Sequence, residues 1–187
     1  MNPAWTPPTL DTDRLQLRAV TDADADAVFA ACSNPNVTRF TLFETNQSVD
    51  DALGFVRHYA RQSYAEQVPD PFAVTLKDDP SGSMVGAVGC HWYNRSHFVM
   101  ELGYWIAEPF WGRGIATEAG RAAVGYVFDH FPHVRRVQAR VIVGNPASAR
   151  VLDKIGFQFE GTHRAAIFRR GQFEDVAMFA VLRTEWL

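Results

Sequence analysis

Apolar and polar residues alternate along RLQLRAV (14–20), the period-two pattern of a strand with one buried face. Thr21 is placed to cap a following helix, with Asp22 and Asp24 in its first turn. Ala25, Val28, Phe29 and Cys32 recur at helical spacing, and NPNV (34–37) breaks that helix. A second helix is predicted over about 49–65, with Leu53, Val56, Ala60 and Tyr64 inward. PFAVTLK (71–77), SMVGAVGCHWY (83–93) and FVMELGYWIA (98–107) read as three strands of a meander, the first two joined by the turn residues DDPSG. A helix follows over about 117–130, then a strand at 135–143. The next helix, within 145–157, is punctuated by Asn145 as cap, Pro146 at its first position and Gly156 at its stop. Two strands joined by RRGQ complete the chain over 157–182.

That order, with no internal repeat or linker, predicts one mixed α/β domain over residues 1–187, with residues 1–13 a Pro-rich, irregular arm. The 187 residues suffice for one core, and 47% apolar with 13% aromatic content marks a folded chain. The net charge of −3 argues against a nucleic-acid-binding surface, and arginines 113, 135, 136, 169 and 170 read as solvated or as local anion contacts. Cys32 and Cys90, far apart, suggest reduced thiols in a cytoplasmic protein. The chain opens without a secretion signal and no stretch has the length of a membrane span. The six histidines lack zinc-site spacing, so no metal is expected.

The chemistry concentrates in PFWGRGIATEA (109–119), where Gly112 and Gly114 precede a helix. A helix N-terminus offers unpaired N–H groups and partial positive charge, and glycines let an anion come close. The same residues also suit a tight strand-to-helix turn without a ligand. No Gly-Lys pair exists for a Walker-type loop. GRGIAT ends in threonine where a dinucleotide loop needs Gly or Ala, and no acidic residue follows at the required distance.

ELGYWIAEPFWGRGIATEAGRAAV resembles the acetyl-CoA loop of GCN5-related N-acetyltransferases (GNAT), whose pattern is Q/R-x-x-G-x-G/A. Trp111, Gly114 and Ala116 take its first, fourth and sixth positions. A tryptophan at the first position is usual in the ribosomal-protein N-terminal acetyltransferase-like (RimJ/RimL-type) branch. LDTDRLQLRAVTDADADAVFAA, NPASARVLDKIGF and FEGTHRAAIFRRGQFEDVAMFAVLRTEW are similar to other segments of that branch, so the resemblance covers about residues 10–186. It implies a largely antiparallel sheet with splayed middle strands, flanked by helices. It implies that Trp111, Gly112, Arg113, Gly114, Ile115, Ala116 and Thr117 bind the pyrophosphate of acetyl-CoA. The backbone of Leu102, Gly103, Tyr104, Trp105 and Ile106 would pair with the pantetheine arm. Arg150 would reach the nucleotide end, and Asn145 either contacts the cofactor arm or only caps its helix.

Acetyl transfer needs a neutral amine and a proton for the departing thiolate. Ser148 resembles the branch's serine near the thioester sulfur; its other reading is a helix-start hydroxyl bonding backbone. Leu152 stands where the wider family often carries a tyrosine acid. Glu101 is a candidate base or the structural partner of an arginine, and no glutamate occurs in AAIF (165–168), where some branch members place one. Glu118 suits the positive end of its helix, and Trp105, Trp111 and Trp186 read as packing. Arg39, Phe40, His91 and His163 are candidate acceptor-pocket residues. The resemblance implies direct attack in a ternary complex, since no cysteine lies near the cofactor segments, although Cys90 leaves an acetyl-enzyme route open. The acceptor is expected to be a protein α-amine, or else a small-molecule amine. A binding module without turnover is the alternative from another class. A homodimer is an expectation of the resemblance alone.

Overall fold

The computed structural model describes residues 5–186. Eight strands form one sheet in the order β1-β2-β3-β4-β5-β6-β8-β7. They are β1 (Leu10–Asp11), β2 (Leu15–Ala19), β3 (Phe72–Leu76), β4 (Met84–Asn94), β5 (Val99–Ile106), β6 (Arg136–Ile142), β7 (Gln158–Arg169) and β8 (Gln172–Leu182). Every neighbouring pair is antiparallel except β5 and β6. Helices α5 (Ile115–His130) and α6 (Pro146–Ile155) cover one face. The other carries α1 (Ala25–Cys32), α2 (Pro35–Thr38), α3 (Val49–Gly54) and α4 (Arg61–Ala65). The mixed α/β class agrees with the sequence expectation, and the elements follow the expected order along the chain with β1 and α2 added. Among the described residues no helix is long and apolar enough to cross a membrane.

Several local expectations need correction. The N-terminal arm is not wholly irregular: Leu10 and Asp11 pair with Leu17 and Gln16 as β1, while residues 1–4 of that arm lie outside the described residues. NPNV does not merely stop a helix. Asn34 accepts from the Asn36 N–H at 2.9 Å and starts α2, with Pro35 at its first position. The helix over 49–65 contains a π-helical stretch, Phe55–Ala60, between α3 and α4. Ala52 is buried and Leu53 only half-buried, so the inward face departs from simple 3.6-residue spacing. The helix after the glycine loop starts at Ile115, two residues earlier than expected.

One packing detail fixes the geometry of the site. A Cβ at Gly120 of α5 would lie 2.6 Å from Ile155 Cδ1, so the missing side chain lets α6 close onto α5. Asn145 accepts from the Ser148 N–H at 3.1 Å, and Gly156 (φ +114) ends α6 in the left-handed conformation, as the sequence predicts.

Candidate active site

The parallel pairing between β5 and β6 stops early. Val99, Met100 and Glu101 pair with Arg136, Val137 and Gln138, and β5 then continues paired only to β4 while β6 continues paired only to β8. From Leu102 to Ile106 one edge of a central strand is therefore open, with amide groups in need of partners. Gly103 stands at this opening; a Cβ there would meet nothing within 4 Å. A cleft of about 1260 Å³ runs through the gap, lined by Gly103, Gly112, Gly114, Thr117, Ser148 and Arg150 among others.

The glycine loop closes one end of this cleft. Gly112 (φ +74) and Gly114 (φ +77) both adopt left-handed backbone, which a side chain would strain. Gly114 caps the 16-residue helix α5, whose first N–H groups face the loop. Trp111 donates its Nε1–H to the Ile106 carbonyl at 2.6 Å, tying the loop back to β5. Glu118, read from the sequence as a helix-dipole residue, has a more specific part. Its carboxylate accepts from Thr12 Oγ1 (2.6 Å), the Arg14 N–H (3.0 Å) and Arg14 Nε (2.7 Å), and Arg14 Nη1 donates to the Arg113 carbonyl at 2.9 Å. Thr12 and Arg14 thus brace the loop from outside. The Arg113 guanidinium lies over the Phe110 ring, 5.3 Å from its centre, and does not line the cleft.

Strand alternation gives the two faces of the gap different chemistry. On the α5/α6 face, Tyr104 reaches α6. Its hydroxyl is 2.8 Å from Ser148 Oγ and donates to the Ser148 carbonyl at 3.3 Å. Burial pushes the Tyr104 phenol up to about 12 against the opposing hydrogen bond from Ser148, so it keeps its proton at neutral pH. Leu152, at the sequence position where a tyrosine is often found, is fully buried. A phenol from β5 occupies the neighbourhood of Ser148 instead. The sequence reading counted only the backbone of Tyr104; its parity with Leu102 was the signal that its side chain points toward α6.

On the other face Glu101, Gln138 and Arg140 form a compact group. Glu101 is buried, and both its oxygens are engaged: Arg140 Nε at 2.8 and 3.0 Å, Arg140 Nη2 at 2.7 Å and Gln138 Nε2 at 2.9 Å. His91, the cross-strand partner of Glu101, lies beside it and lines the cleft. Arg39 and Phe40 also line the cleft, as expected, whereas His163 is exposed on β7 and does not. Arg169 is buried and pairs with Glu174 at 2.9 Å, and Arg170, still exposed, lies 3.5 Å from Glu44, so their anions are carboxylates of this chain. The two arginines also donate to the carbonyls of Arg39 (2.8 Å) and Thr38 (3.0 Å), clamping the C-terminal end of α2 to the β7–β8 hairpin. Glu108 ties the same wall to the glycine loop, accepting from Asn34 Nδ2 at 2.5 Å and Asn36 Nδ2 at 2.9 Å. Cys90 is fully buried away from the cleft lining, and burial, with the Asp70 charge, pushes its thiol well up, which removes the thiolate an acetyl-enzyme route would need.

Residues 14–158 match the acetyltransferase (GNAT) domain family. The chain belongs to the GNAT family. It is an acetyl-CoA-dependent N-acetyltransferase. Over 176 residues it is 34% identical to the uncharacterised N-acetyltransferase YoaA of Bacillus subtilis, covering 94% of this chain and 97% of that protein. It is 26% identical over 188 residues to the [ribosomal protein uS5]-alanine N-acetyltransferase of Escherichia coli (95% and 92% covered). Among solved structures, a GNAT-family acetyltransferase from Bacillus anthracis superimposes with a TM-score of 0.84 at 25% identity, over 95% of this chain and all of that one. The microcin C7 self-immunity acetyltransferase, solved with acetyl-CoA and AMP, shares the fold with a TM-score of 0.82 at 18% identity (96% and 98% covered).

Proposed function

We propose that this enzyme acetylates a protein N-terminal α-amine in the cytoplasm, by direct attack on acetyl-CoA bound together with the acceptor. The observation that carries this reading is the open edge of β5 at Gly103, with the glycine loop at one end and Ser148 on the flanking helix. The free amides of β5 suit an amide-containing arm, and the left-handed glycines ahead of α5 suit a diphosphate. Both fit acetyl-CoA, which supplies the acetyl group as a thioester.

In this reading the N–H groups of residues 112–117 hold the pyrophosphate and the backbone of Leu102–Ile106 aligns the pantetheine. Asn145 fixes the start of α6, which aims Ser148 at the sulfur. Ser148 Oγ and the protonated Tyr104 phenol then share the proton that the departing thiolate takes up. Tyr104 replaces the tyrosine missing at Leu152.

The α-amine is favoured over a lysine side chain because its unperturbed pKa is near 8 rather than about 10.4, so less proton affinity must be overcome. The relation to an enzyme named for acetylating the alanine of a ribosomal protein points the same way. The test is free-thiol release from acetyl-CoA against peptides with free or blocked N-termini and a panel of small amines. Turnover confined to free N-termini is the expected result. Turnover confined to small amines moves the acceptor to metabolites, and silence with intact acetyl-CoA binding leaves a binding module.

A further inference from the structure

The α1–α4 face of the gap carries a second group of ionisable side chains that the Ser148–Tyr104 pair does not use. Asp70 lies across the sheet directly above Gly89; a Cβ at residue 89 would sit 2.2 Å from Asp70 Oδ1 and 2.6 Å from its Cα. Only glycine at that position lets the Asp70 segment rest on β4. The segment is pinned on both sides. The Cys90 N–H donates to the Pro69 carbonyl at 3.2 Å, and Tyr64 donates its hydroxyl to the Pro71 carbonyl at 2.5 Å. Tyr59, carried by the π-helical stretch, donates its hydroxyl to Asp70 Oδ2. Burial and the neighbouring Asp70 charge push the Tyr59 phenol up, so it remains a donor.

His91 follows Gly89 on the same face. Its Nδ1 is buried and lies 3.3 Å from Asp70 Oδ2, angled too far off line to count as a hydrogen bond. Its Nε2 is 3.9 Å from Glu101 Oε1, beyond hydrogen-bond reach, and the ring is about one-third exposed to the cleft (36%). Gly103, at the opening of the sheet, is its diagonal cross-strand neighbour, about 7–8 Å away by strand geometry. Glu101, by contrast, must give up Arg140 or Gln138 before an oxygen is free to take a proton.

We propose that His91 is the base that removes the proton from the acceptor ammonium, with Asp70 orienting its ring and Tyr59 holding Asp70 in place. This rests on amine acetylation at the β5 gap but not on the identity of the amine. The ammonium group loses two protons in the reaction. One passes to His91 Nε2 before attack and leaves through the cleft to solvent. The amine lone pair then forms the C–N bond, and the C–S bond breaks with its pair on sulfur. Sulfur takes a proton from the Ser148–Tyr104 pair, the second nitrogen proton passes to His91, by then free of the first, and solvent returns a proton to the hydroxyl pair. Nothing is oxidised or reduced.

The charged groups facing His91 are Asp70 from the loop before β3, Glu101 from β5 and Arg140 from β6, with Tyr59 beyond Asp70. Burial lowers the affinity of His91 for a proton, as does Arg140, but Asp70 and Glu101 outweigh them and its pKa is raised above the ordinary 6.5. A raised pKa makes the imidazole a stronger base and keeps it charged, and so unable to accept, to a higher pH.

The experiment has two arms. Imidazole NMR titration of the free protein follows His91 directly: its midpoint is expected above 6.5 and lower in Asp70→Asn. The pH profile of kcat/KM for thiol release is then measured with whichever amine of the panel is turned over, so an error in the acceptor class shows in the panel and not in the profile. His91→Gln is expected to lose about 100-fold at neutral pH. Its acid limb should move to the pKa of the amine itself, about 8 for an α-amine. In Asp70→Asn the limb should move to lower pH with the histidine, which keeps the test open if His91→Gln does not fold. An acid limb unchanged in His91→Gln, a loss there of less than about threefold against the catalytic range, or a His91 titration indifferent to Asp70→Asn overturns the proposal.

Discussion

The two faces of the sheet at the β5–β6 gap are built on opposite plans. Toward α5 and α6 the packing is largely apolar, and beside the opening of the sheet it carries the Tyr104–Ser148 pair, two neutral hydroxyls 2.8 Å apart. Toward α1–α4 lie Asp70, His91, Glu101 and Arg140, with Tyr59 donating to Asp70 and Gln138 to Glu101. The difference matches what each side would have to do. A departing thiolate needs a donor that stays protonated, and burial without charge supplies it. An attacking amine arrives as a cation and must lose a proton, which calls for carboxylates and a base. One alternating strand separates the two requirements by sending Glu101 one way and Tyr104 the other.

The comparison is broken most directly on the neutral side. Combining Ser148→Ala with Tyr104→Phe should lower kcat by about 100- to 1000-fold while changing acetyl-CoA affinity far less, as single-turnover kinetics and calorimetric titration would register. Full turnover in that double variant returns Ser148 to a helix-start role and leaves the departing sulfur to water.

On the charged side the largest structural effect is expected from Glu101→Gln. Loss of that buried charge leaves Arg140 without its partner, and because Arg140 is partly exposed (30%) the cost should be about 2–3 kcal/mol, below that of breaking a fully buried pair. Urea unfolding measures it. If His91 is the base, activity per folded molecule should fall less in this variant than in His91→Gln; the reverse order would hand the base role back to Glu101.

The smallest effect belongs to the loop that serves both faces alike. Gly114→Val introduces a side chain at φ +77, costing about 1–2 kcal/mol of backbone strain in the free protein. It should also weaken acetyl-CoA binding about tenfold or more as the loop moves or the new side chain meets the anion. Unchanged affinity would remove the loop from the cofactor site.

Much of this was legible in the sequence because the signals are local. Period-two alternation marked β2, strand-like runs and the DDPSG turn marked the β3–β5 meander, and Asn145, Pro146 and Gly156 marked both ends of α6. The paired glycines marked the loop ahead of α5. The misses share a cause. The π-helical stretch has no distinctive composition, so a plain 3.6-residue wheel put Leu53 inward and left Tyr59 out of the site. Asp70 carried no signal at all, since its contact with His91 depends on a glycine 19 positions away and on a loop folding back over β4. Tyr104 was visible but counted only as backbone.

The sequence by itself therefore determined most of the elements, their order, the loop glycines and the family, because backbone preference and hydrophobic periodicity act over a few neighbouring residues. The tertiary structure alone decided that Glu101 is held by Arg140, that Tyr104 meets Ser148 across 44 positions, and that Asp70 and Tyr59 stand behind His91. Those contacts depend on strand register and on the early parting of β5 from β6, which are set by the packing of the whole sheet.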